Sequence, residues 1–142
     1  MAMLVVTAWV GGLWAIGYLA APALFYYLPD RQLAGMLAGE MFAWIAYAGM
    51  ASAILLMVQR VWQYGAVALK QLFFWAVLVM LALTLVGHFG FQPILAQLKA
   101  QAMPVDVMQS VFRDRFMAWH GVASMAYLLQ SLLGIVLVLR VR

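Results

Sequence analysis

The chain has no cysteine and very little charge. Its 142 residues include no Cys, eight Lys or Arg and four Asp or Glu, so charged residues make up 8% of the sequence. Without cysteine there is no disulfide, no thiolate metal ligand and no thiol nucleophile. A soluble domain carries roughly 25% charged residues, so the composition points away from a water-exposed surface.

Apolar residues take the place of the missing charge. They make up 69% of the chain, and the mean hydropathy is +1.03. The first charged side chain is Asp30, so the first apolar run lacks the basic segment of a cleavable secretion signal and is longer than one. We therefore predict an integral membrane protein whose first apolar run is a retained anchor.

Four apolar runs are long enough to span a bilayer, which takes roughly 20 residues. Charge clusters separate the runs, and Pro29 in the first connection ends a helix. The chain is predicted to be all-α, a single domain over residues 1–142 that forms an integral membrane four-helix bundle in up-down-up-down order. The predicted spans are Met3–Leu28, Leu33–Gln59, Gln71–Leu98 and Phe116–Leu139, and the segment Lys99–Arg115 is predicted to be partly helical.

Four spans place both termini on one side of the membrane. The positive charges divide equally between the two sides: Arg60, Lys70, Arg140 and Arg142 on the terminal side, and Arg31, Lys99, Arg113 and Arg115 on the other. Charges in short loops beside helix ends weigh more than charges in long loops. We therefore expect a multi-pass protein of the bacterial inner membrane with both termini in the cytoplasm; the alternative is the same bundle inverted.

Small residues recur at the spacing that lets transmembrane helices approach closely. The stretch "GMLAG" at Gly35–Gly39 is a GxxxG motif, and Ala8 with Gly12 and Gly49 with Ala53 repeat the spacing. Packing within the chain is the simpler interpretation of these residues. The motif also predicts a homo-oligomer that assembles through the first two spans, because a small four-helix protein leaves much lipid-facing surface.

Three titratable side chains fall inside the predicted spans: Glu40, His88 and His120. A charge at membrane depth costs at least about 2.5 kcal/mol and usually persists only beside a partner or a cavity. If the third helix leaves the membrane near Pro93, His88 lies roughly 7 Å inside, and His120 and Glu40 lie roughly 6 and 10 Å inside from the same side. We therefore predict that the three groups share one layer.

Two imidazoles and a carboxylate can form a ligand set. Neutral imidazole suits haem iron, copper and zinc, and two histidines with a carboxylate also suit non-haem iron. Gly87 precedes His88 and Gly121 follows His120, so a flat macrocycle or an ion could approach. His88, His120 and Glu40 are thus predicted metal ligands, with haem or copper as possible cofactors. In the structural alternative, the histidines bond neighbouring carbonyls and the glutamate reaches the headgroups.

The predicted cofactor-binding site also includes two arginines. Helices joined by one loop are usually neighbours, so His88 is expected to face His120 across the third and fourth helices. Arg113 and Arg115 would stand just above the pair, where they suit an anionic small molecule or a lipid headgroup. Basic residues at helix ends are ordinary in a membrane protein, so no nucleic-acid partner is expected.

Four stretches of the chain resemble a known bacterial membrane family. They are "AWVGGLWAIGYLAAPALF" from Ala8, "DRQLAGMLAGEMF" from Asp30, "GHFGFQPILAQL" from Gly87 and "RDRFMAWHGVASMAYLLQSLLG" from Arg113. They are similar to the domain-of-unknown-function 4149 family, which itself resembles eukaryotic transmembrane protein 205. The resemblance implies a fold and no reaction. The first helix more distantly resembles copper-resistance D proteins and the haem-binding membrane protoporphyrinogen oxidase, but it lacks the oxidase's first-helix histidine, so a haem would need His88 and His120.

The sequence leaves three functions open. The first is a metal or haem protein, the second a non-catalytic scaffold or assembly protein, and the third a transporter of small molecules or metal that acts as an oligomer. Acyl-transfer triads, phosphate-binding glycine loops and nucleotide fingerprints are absent from the sequence, so soluble-type hydrolase or kinase chemistry is not expected. Whether the protein is an enzyme stays undecided at this level.

Overall fold

The computed structural model describes residues 1–141, which form four long helices. They are α1 (Ala2–Tyr27), α2 (Arg31–Tyr64), α3 (Leu72–Ala102) and α4 (Arg113–Arg140). All four are long and apolar enough to cross a membrane, and no strand occurs in the described residues. The prediction of an all-α protein with four candidate membrane spans is confirmed.

Short polar or glycine-containing segments set the helix ends. The Asp30 carboxylate accepts hydrogen bonds from the backbone N–H groups of Gln32 and Leu33, at 2.9 and 3.2 Å, and so caps the start of α2. At the other end of α2, Gly65 has a φ of +55°, a left-handed value that favours glycine. A 3₁₀ turn, Gly65–Lys70, then leads directly into α3.

The connection between α3 and α4 is partly helical, as predicted. A short 3₁₀ turn spans Val107–Gln109, and the Asp106 carboxylate accepts a hydrogen bond from the backbone N–H of Met108 at 3.1 Å. The side chain of Gln32 donates to the carbonyl of Pro104 at 2.8 Å. This last bond ties the connection to the start of α2.

Each helix packs against its neighbours in sequence, and α1 closes the bundle against α4. The order is therefore up-down-up-down. One end of the bundle carries the start of α1, the end of α4 and the α2–α3 connection, and we call it the terminal end. The other end carries the α1–α2 and α3–α4 connections, and we call it the loop end.

The principal core fills the half of the bundle nearer the terminal end. Its most deeply buried large side chains are Val6, Trp9, Leu56, Val77, Met80 and Leu137. Glycines admit two of the close contacts: the indole of Trp9 lies against Gly49, and the side chain of Val10 lies against Gly134. Packing within the chain therefore accounts for Gly49, as the simpler interpretation expected.

The loop end is organised differently, because there the four helices separate into two pairs. The last segment of α1, Ala21–Tyr27, packs against α2, and the last segment of α3, Gln92–Ala102, packs against α4. No comparable packing joins Ala21–Tyr27 to α4, or α2 to Gln92–Ala102, within residues 1–141. A small second core of Leu98, Ala102 and Val107 holds the α3–α4 pair together. We call the space between the two pairs the loop-end cleft.

Candidate functional site

The three predicted titratable groups do not share one depth. Helix α3 continues through Pro93, which lies in the first turn of the segment Gln92–Ala102, directly after a π-helical turn over Val86–Phe91. His88 is therefore about fourteen residues, or roughly 21 Å of rise, from the end of α3. His120 is only about seven residues, or roughly 10 Å, from the start of α4. The expected common layer is wrong for His88, which lies near the middle of its helix.

The His88 ring packs against a side chain of α2, although the π-helical turn that carries it also packs against α4. Its ring meets Tyr47 edge to face at a centroid distance of 4.7 Å and Phe89 at 4.8 Å. Its Nδ1 atom is buried and has no hydrogen-bond partner in the described chain. The ring of His120 instead stacks on Phe116 of its own helix, at 5.7 Å and 10°. The expected facing pair of histidines is therefore corrected: the two rings contact different partners.

Glu40 does not come together with either histidine. Its side chain is exposed on α2, in the same stripe as Tyr47 and two helical turns nearer the loop end. Among residues 1–141 there is no group of three His, Asp or Glu side chains that could hold a metal ion. The arrangement therefore gives no support to one metal ion held by Glu40, His88 and His120 together.

The loop-end cleft is crossed by a residue that sequence reasoning did not place in the site. Lys99 of α3 is half-buried, and its Nζ donates a hydrogen bond to the Gly35 carbonyl of α2 at 3.4 Å. The same ammonium lies 5.8 Å from the centre of the Phe116 ring of α4. Phe25 of α1 borders Gly35 from the other side. The ammonium of α3 therefore contacts α2 and α4, and α1 borders the same glycine through Phe25.

The glycines of the GxxxG motif border this cleft. Gly35 is buried, and a Cβ built on it would lie 3.6 Å from the Lys99 ammonium and 3.8 Å from the Phe25 ring. A Cβ built on Gly39 would meet nothing within 4 Å. Gly35 therefore takes part in packing within the chain, whereas the space beside Gly39 is open. The predicted assembly through the first two spans would have to do without Gly35.

The loop end of the bundle carries charges of both signs. Lys99 and His120 are close enough for their charges to interact, and the Asp106 carboxylate acts on Lys99 through space. No hydrogen bond joins that carboxylate to Lys99 in residues 1–141; its recorded bond is with Met108. Arg113 is exposed at the start of α4, as is Arg115. The sequence signal for Lys99 was weak, because this lysine directly follows the predicted third span and resembles an ordinary basic residue at a span end.

Aromatic rings close the cleft toward the middle of the bundle. Tyr127 of α4 meets Phe42 of α2 at 5.3 Å and Tyr18 of α1 at 6.1 Å, both edge to face. The Tyr18 hydroxyl donates to the Ser131 hydroxyl at 2.8 Å, and the indole N–H of Trp14 donates to the Ser131 carbonyl at 3.3 Å. The cleft therefore ends on a hydrogen-bonded aromatic floor.

Four apolar helices around one polar cleft define a multi-pass membrane protein of the small four-helix class. The chain belongs to the family described as a domain of unknown function (DUF4149), whose model matches residues 4–104. The resemblance to this family is thereby confirmed, and the matched segment includes Glu40, His88 and Lys99 but not His120. No curated protein and no solved structure matches the chain.

Proposed function

We propose that this protein binds the anionic headgroup of a membrane amphiphile, a carboxylate or a phosphate, in the loop-end cleft. The observation that carries the proposal is the Lys99 ammonium. It is half-buried near the end of α3, its hydrogen bond is a long one, 3.4 Å, to a neutral carbonyl, and the Asp106 carboxylate acts on it only through space. An ammonium has three donors, so two of them are free for a ligand.

The electrostatic argument favours an anion over a neutral ligand. A cation that has lost part of its water is costly unless an opposite charge lies beside it. Two unit charges 4 Å apart attract by about 4 kcal/mol at an effective dielectric constant of about 20, several times more than in bulk water. Lys99 also lies only about three residues, or roughly 4.5 Å of rise, from the end of α3. That depth is appropriate for a headgroup.

The shape of the cleft favours a ligand that carries an apolar chain. Phe116 lies beside the ammonium, Phe25 borders Gly35, and open space lies beside Gly39. The segment Ala21–Tyr27 does not pack closely against α4, so the cleft faces the bilayer as well as the membrane surface. An amphiphile can place its headgroup at Lys99 and leave its tail among the lipid chains. A small water-soluble anion would gain nothing from the lateral opening.

The residues predicted from sequence divide between primary and peripheral roles in this proposal. His120 is given a secondary role, because its ring stacks on Phe116, the ring that lies beside the Lys99 ammonium. Arg113 and Arg115 are exposed at the loop face, where they can contact an anionic headgroup at the entrance of the cleft. Glu40 and His88 take no part in binding the headgroup.

Native mass spectrometry of the detergent-purified protein tests the proposal. The probes are phosphatidylglycerol, palmitate and inorganic phosphate, with zwitterionic phosphatidylcholine as the neutral reference. Lys99→Gln should lower retention of the anionic lipid about tenfold or more. Lys70→Gln is the matched control, because Lys70 is the other lysine of the chain and is exposed at the terminal end. Equal retention by the wild type and Lys99→Gln would disprove the proposal.

The probes also separate the sources of the anion. Retention of palmitate alone identifies a fatty carboxylate, and retention of phosphatidylglycerol alone identifies a lipid phosphate. Binding of inorganic phosphate as tight as that of the lipid would contradict the role given to the lateral opening. The circular dichroism of Lys99→Gln shows whether the variant is folded, and Lys99→Arg keeps the charge and should retain most of the lipid.

The metal or haem hypothesis is the second candidate, and its support is the buried, unpartnered Nδ1 atom of His88. Imidazole is a suitable ligand for haem iron or copper, and the His88 ring would have to turn to present its covered Nδ1 atom to either one. Elemental analysis and a visible absorption spectrum of the purified protein test it. Stoichiometric metal or a haem spectrum that is lost in His88→Ala would favour this function over lipid binding.

A further inference from the structure

A patch of ring side chains covers the outer side of α2 and α3. Trp44 and Tyr47 of α2 are 73% and 57% exposed, and Phe89 of α3 is 63% exposed. The ring of His88 lies between Tyr47 and Phe89. We call Trp44, Tyr47, His88 and Phe89 the outer patch; it lies on the side of α2 opposite the core and outside the loop-end cleft.

The outer patch lies near the middle of the membrane. Tyr47 is about sixteen residues from the start of α2, and His88 is about sixteen residues from the start of α3, so each is roughly 24 Å along its helix. Exposed Tyr and Trp normally lie at the membrane surface, where the hydroxyl or indole N–H meets water. At mid-depth no water is available. The polar atoms of the outer patch therefore need partners from protein or from a ligand.

Those partners are missing within one chain. Neither the Tyr47 hydroxyl nor the Trp44 indole N–H makes a hydrogen bond in the described part of the structure, which spans residues 1–141. Nδ1 of His88 also lacks a partner but is covered by its own chain, so Tyr47 and Trp44 carry the polar groups that a neighbour can reach. Each unsatisfied polar group in hydrocarbon costs several kcal/mol, and lipid tails neither donate nor accept hydrogen bonds.

We propose that a second copy of this chain docks on the outer patch, about a two-fold axis along the membrane normal. Such an axis keeps every residue at its own depth, so the two patches face each other. A two-fold interface must also be self-complementary. The patch meets that requirement, because a tyrosine hydroxyl both donates and accepts and because the indole N–H supplies a further donor. Two Tyr47 side chains can therefore satisfy each other.

The backbone next to the patch permits a close approach. A Cβ built on Gly87, which precedes His88, would meet nothing within 4 Å, so the surface of α3 is open there. Small residues at helix interfaces allow van der Waals contact between backbones in lipid. Glu40 lies two helical turns nearer the loop end, where its carboxylate can reach the headgroup layer. The inferred contact thus involves α2 and α3, in place of the first two spans.

Disulfide trapping in native membranes tests this interface, because the chain has no cysteine of its own. Ala51 lies one helical turn from Tyr47 on the same exposed stripe of α2. Ala51→Cys should give a covalent dimer on mild oxidation. Met125→Cys is the matched control, since Met125 is exposed near the middle of α4 on another side of the bundle. Trapping at residue 125 equal to that at residue 51 would contradict the proposal.

Removal of one hydroxyl provides the second measurement. Tyr47→Phe should lower the trapped dimer of the Ala51→Cys chain at least fivefold, whereas Tyr26→Phe should leave it unchanged. Tyr26 is a suitable control because it is exposed at the end of α1. An undiminished dimer in Tyr47→Phe would overturn the proposal. So would a monomer that carries a bound small molecule lost in Tyr47→Phe, because a lipid-soluble ligand would then occupy the outer patch. Neither outcome depends on lipid binding at Lys99.

Discussion

The ring of Tyr127 in α4 lies directly against the backbone of Gly17 in α1. Gly17 is part of a π-helical turn over Ala15–Ala20, and a Cβ built on it would overlap the tyrosine ring. The Tyr127 hydroxyl donates a hydrogen bond to the carbonyl of Leu13 at 2.5 Å. The glycine and the widened turn together admit an aromatic ring between two transmembrane helices, directly beneath the loop-end cleft.

Gly17→Ala should destabilise the protein for this reason. The added methyl group must displace the Tyr127 ring, and overpacking of this kind typically costs about 1 to 3 kcal/mol. The measurement is the midpoint of thermal unfolding in mild detergent, which should fall. Gly11→Ala is the control on the same helix, because a Cβ there meets nothing within 4 Å. Equal midpoints for the two variants would contradict the packing described here.

Thr84 and Gln130 form a buried hydrogen bond between α3 and α4 that predicts unequal mutant effects. The Gln130 side-chain amide donates to the Thr84 hydroxyl at 2.6 Å, and that hydroxyl donates to the Met80 carbonyl at 2.8 Å. Thr84→Val leaves the amide buried without its acceptor, whereas Gln130→Leu leaves the threonine with its backbone bond. Thr84→Val should therefore cost more, about 1 to 2 kcal/mol.

The double variant Thr84→Val with Gln130→Leu completes a thermodynamic cycle for this pair. It should be more stable than the sum of the single effects predicts, with a coupling of about 0.6 kcal/mol or more. Reversible unfolding in a mixed detergent measures all four proteins. Additive effects within error would show that the hydrogen bond contributes nothing to stability.

Arg60 holds the end of α4 against α2 and should be sensitive to truncation. It is only 8% exposed, it donates to the Arg140 carbonyl at 3.1 Å, and its guanidinium lies 4.3 Å from the centre of the Phe73 ring. Arg60→Ala removes the hydrogen bond, the cation–π contact and the packing of a long side chain, with an expected cost of about 2 kcal/mol or more. Lys70→Ala, at an exposed site in the same end of the bundle, should cost little. Matched unfolding midpoints of the two variants would refute the role assigned to Arg60.

The orientation of the bundle can be measured by single-cysteine labelling. We expect both termini in the cytoplasm, so Gln109→Cys in the α3–α4 connection should react with a membrane-impermeant maleimide in intact spheroplasts. Ala66→Cys in the α2–α3 connection should react only after the membrane is opened. Both positions are exposed, and no native cysteine interferes. The reverse pattern would indicate the inverted bundle, and labelling of both from one side would contradict four spans.

Most of the fold could be predicted from the sequence. The number of membrane spans depends on hydrophobicity summed along the chain, since roughly 20 consecutive apolar residues are needed to cross the bilayer. Helix ends such as Asp30 and Gly65 also follow from local chemistry, because a carboxylate caps free N–H groups and a positive φ favours glycine. These determinants act within a few residues of one another, so no tertiary information is needed.

The candidate site depended on relations that a sequence pattern does not contain. Pro93 predicted the end of a membrane span and so gave His88 the wrong depth, because the π-helical turn before it lets α3 continue. Lys99 was predicted to mark a helix end, yet it crosses to the Gly35 carbonyl of another helix.

The sequence by itself determined that this is a four-span membrane protein with few polar groups, and the tertiary structure decided which of those groups meet. An apolar side chain is about equally stable in lipid whichever way it points from the helix. Composition therefore determines that a helix inserts into the membrane, but it does not determine how the helix is rotated about its axis. Rotation and register follow from shape: Tyr127 fits against Gly17 and Trp9 against Gly49. Contacts of the same kind between distant segments bring Lys99 to the Gly35 carbonyl and the His88 ring to Tyr47.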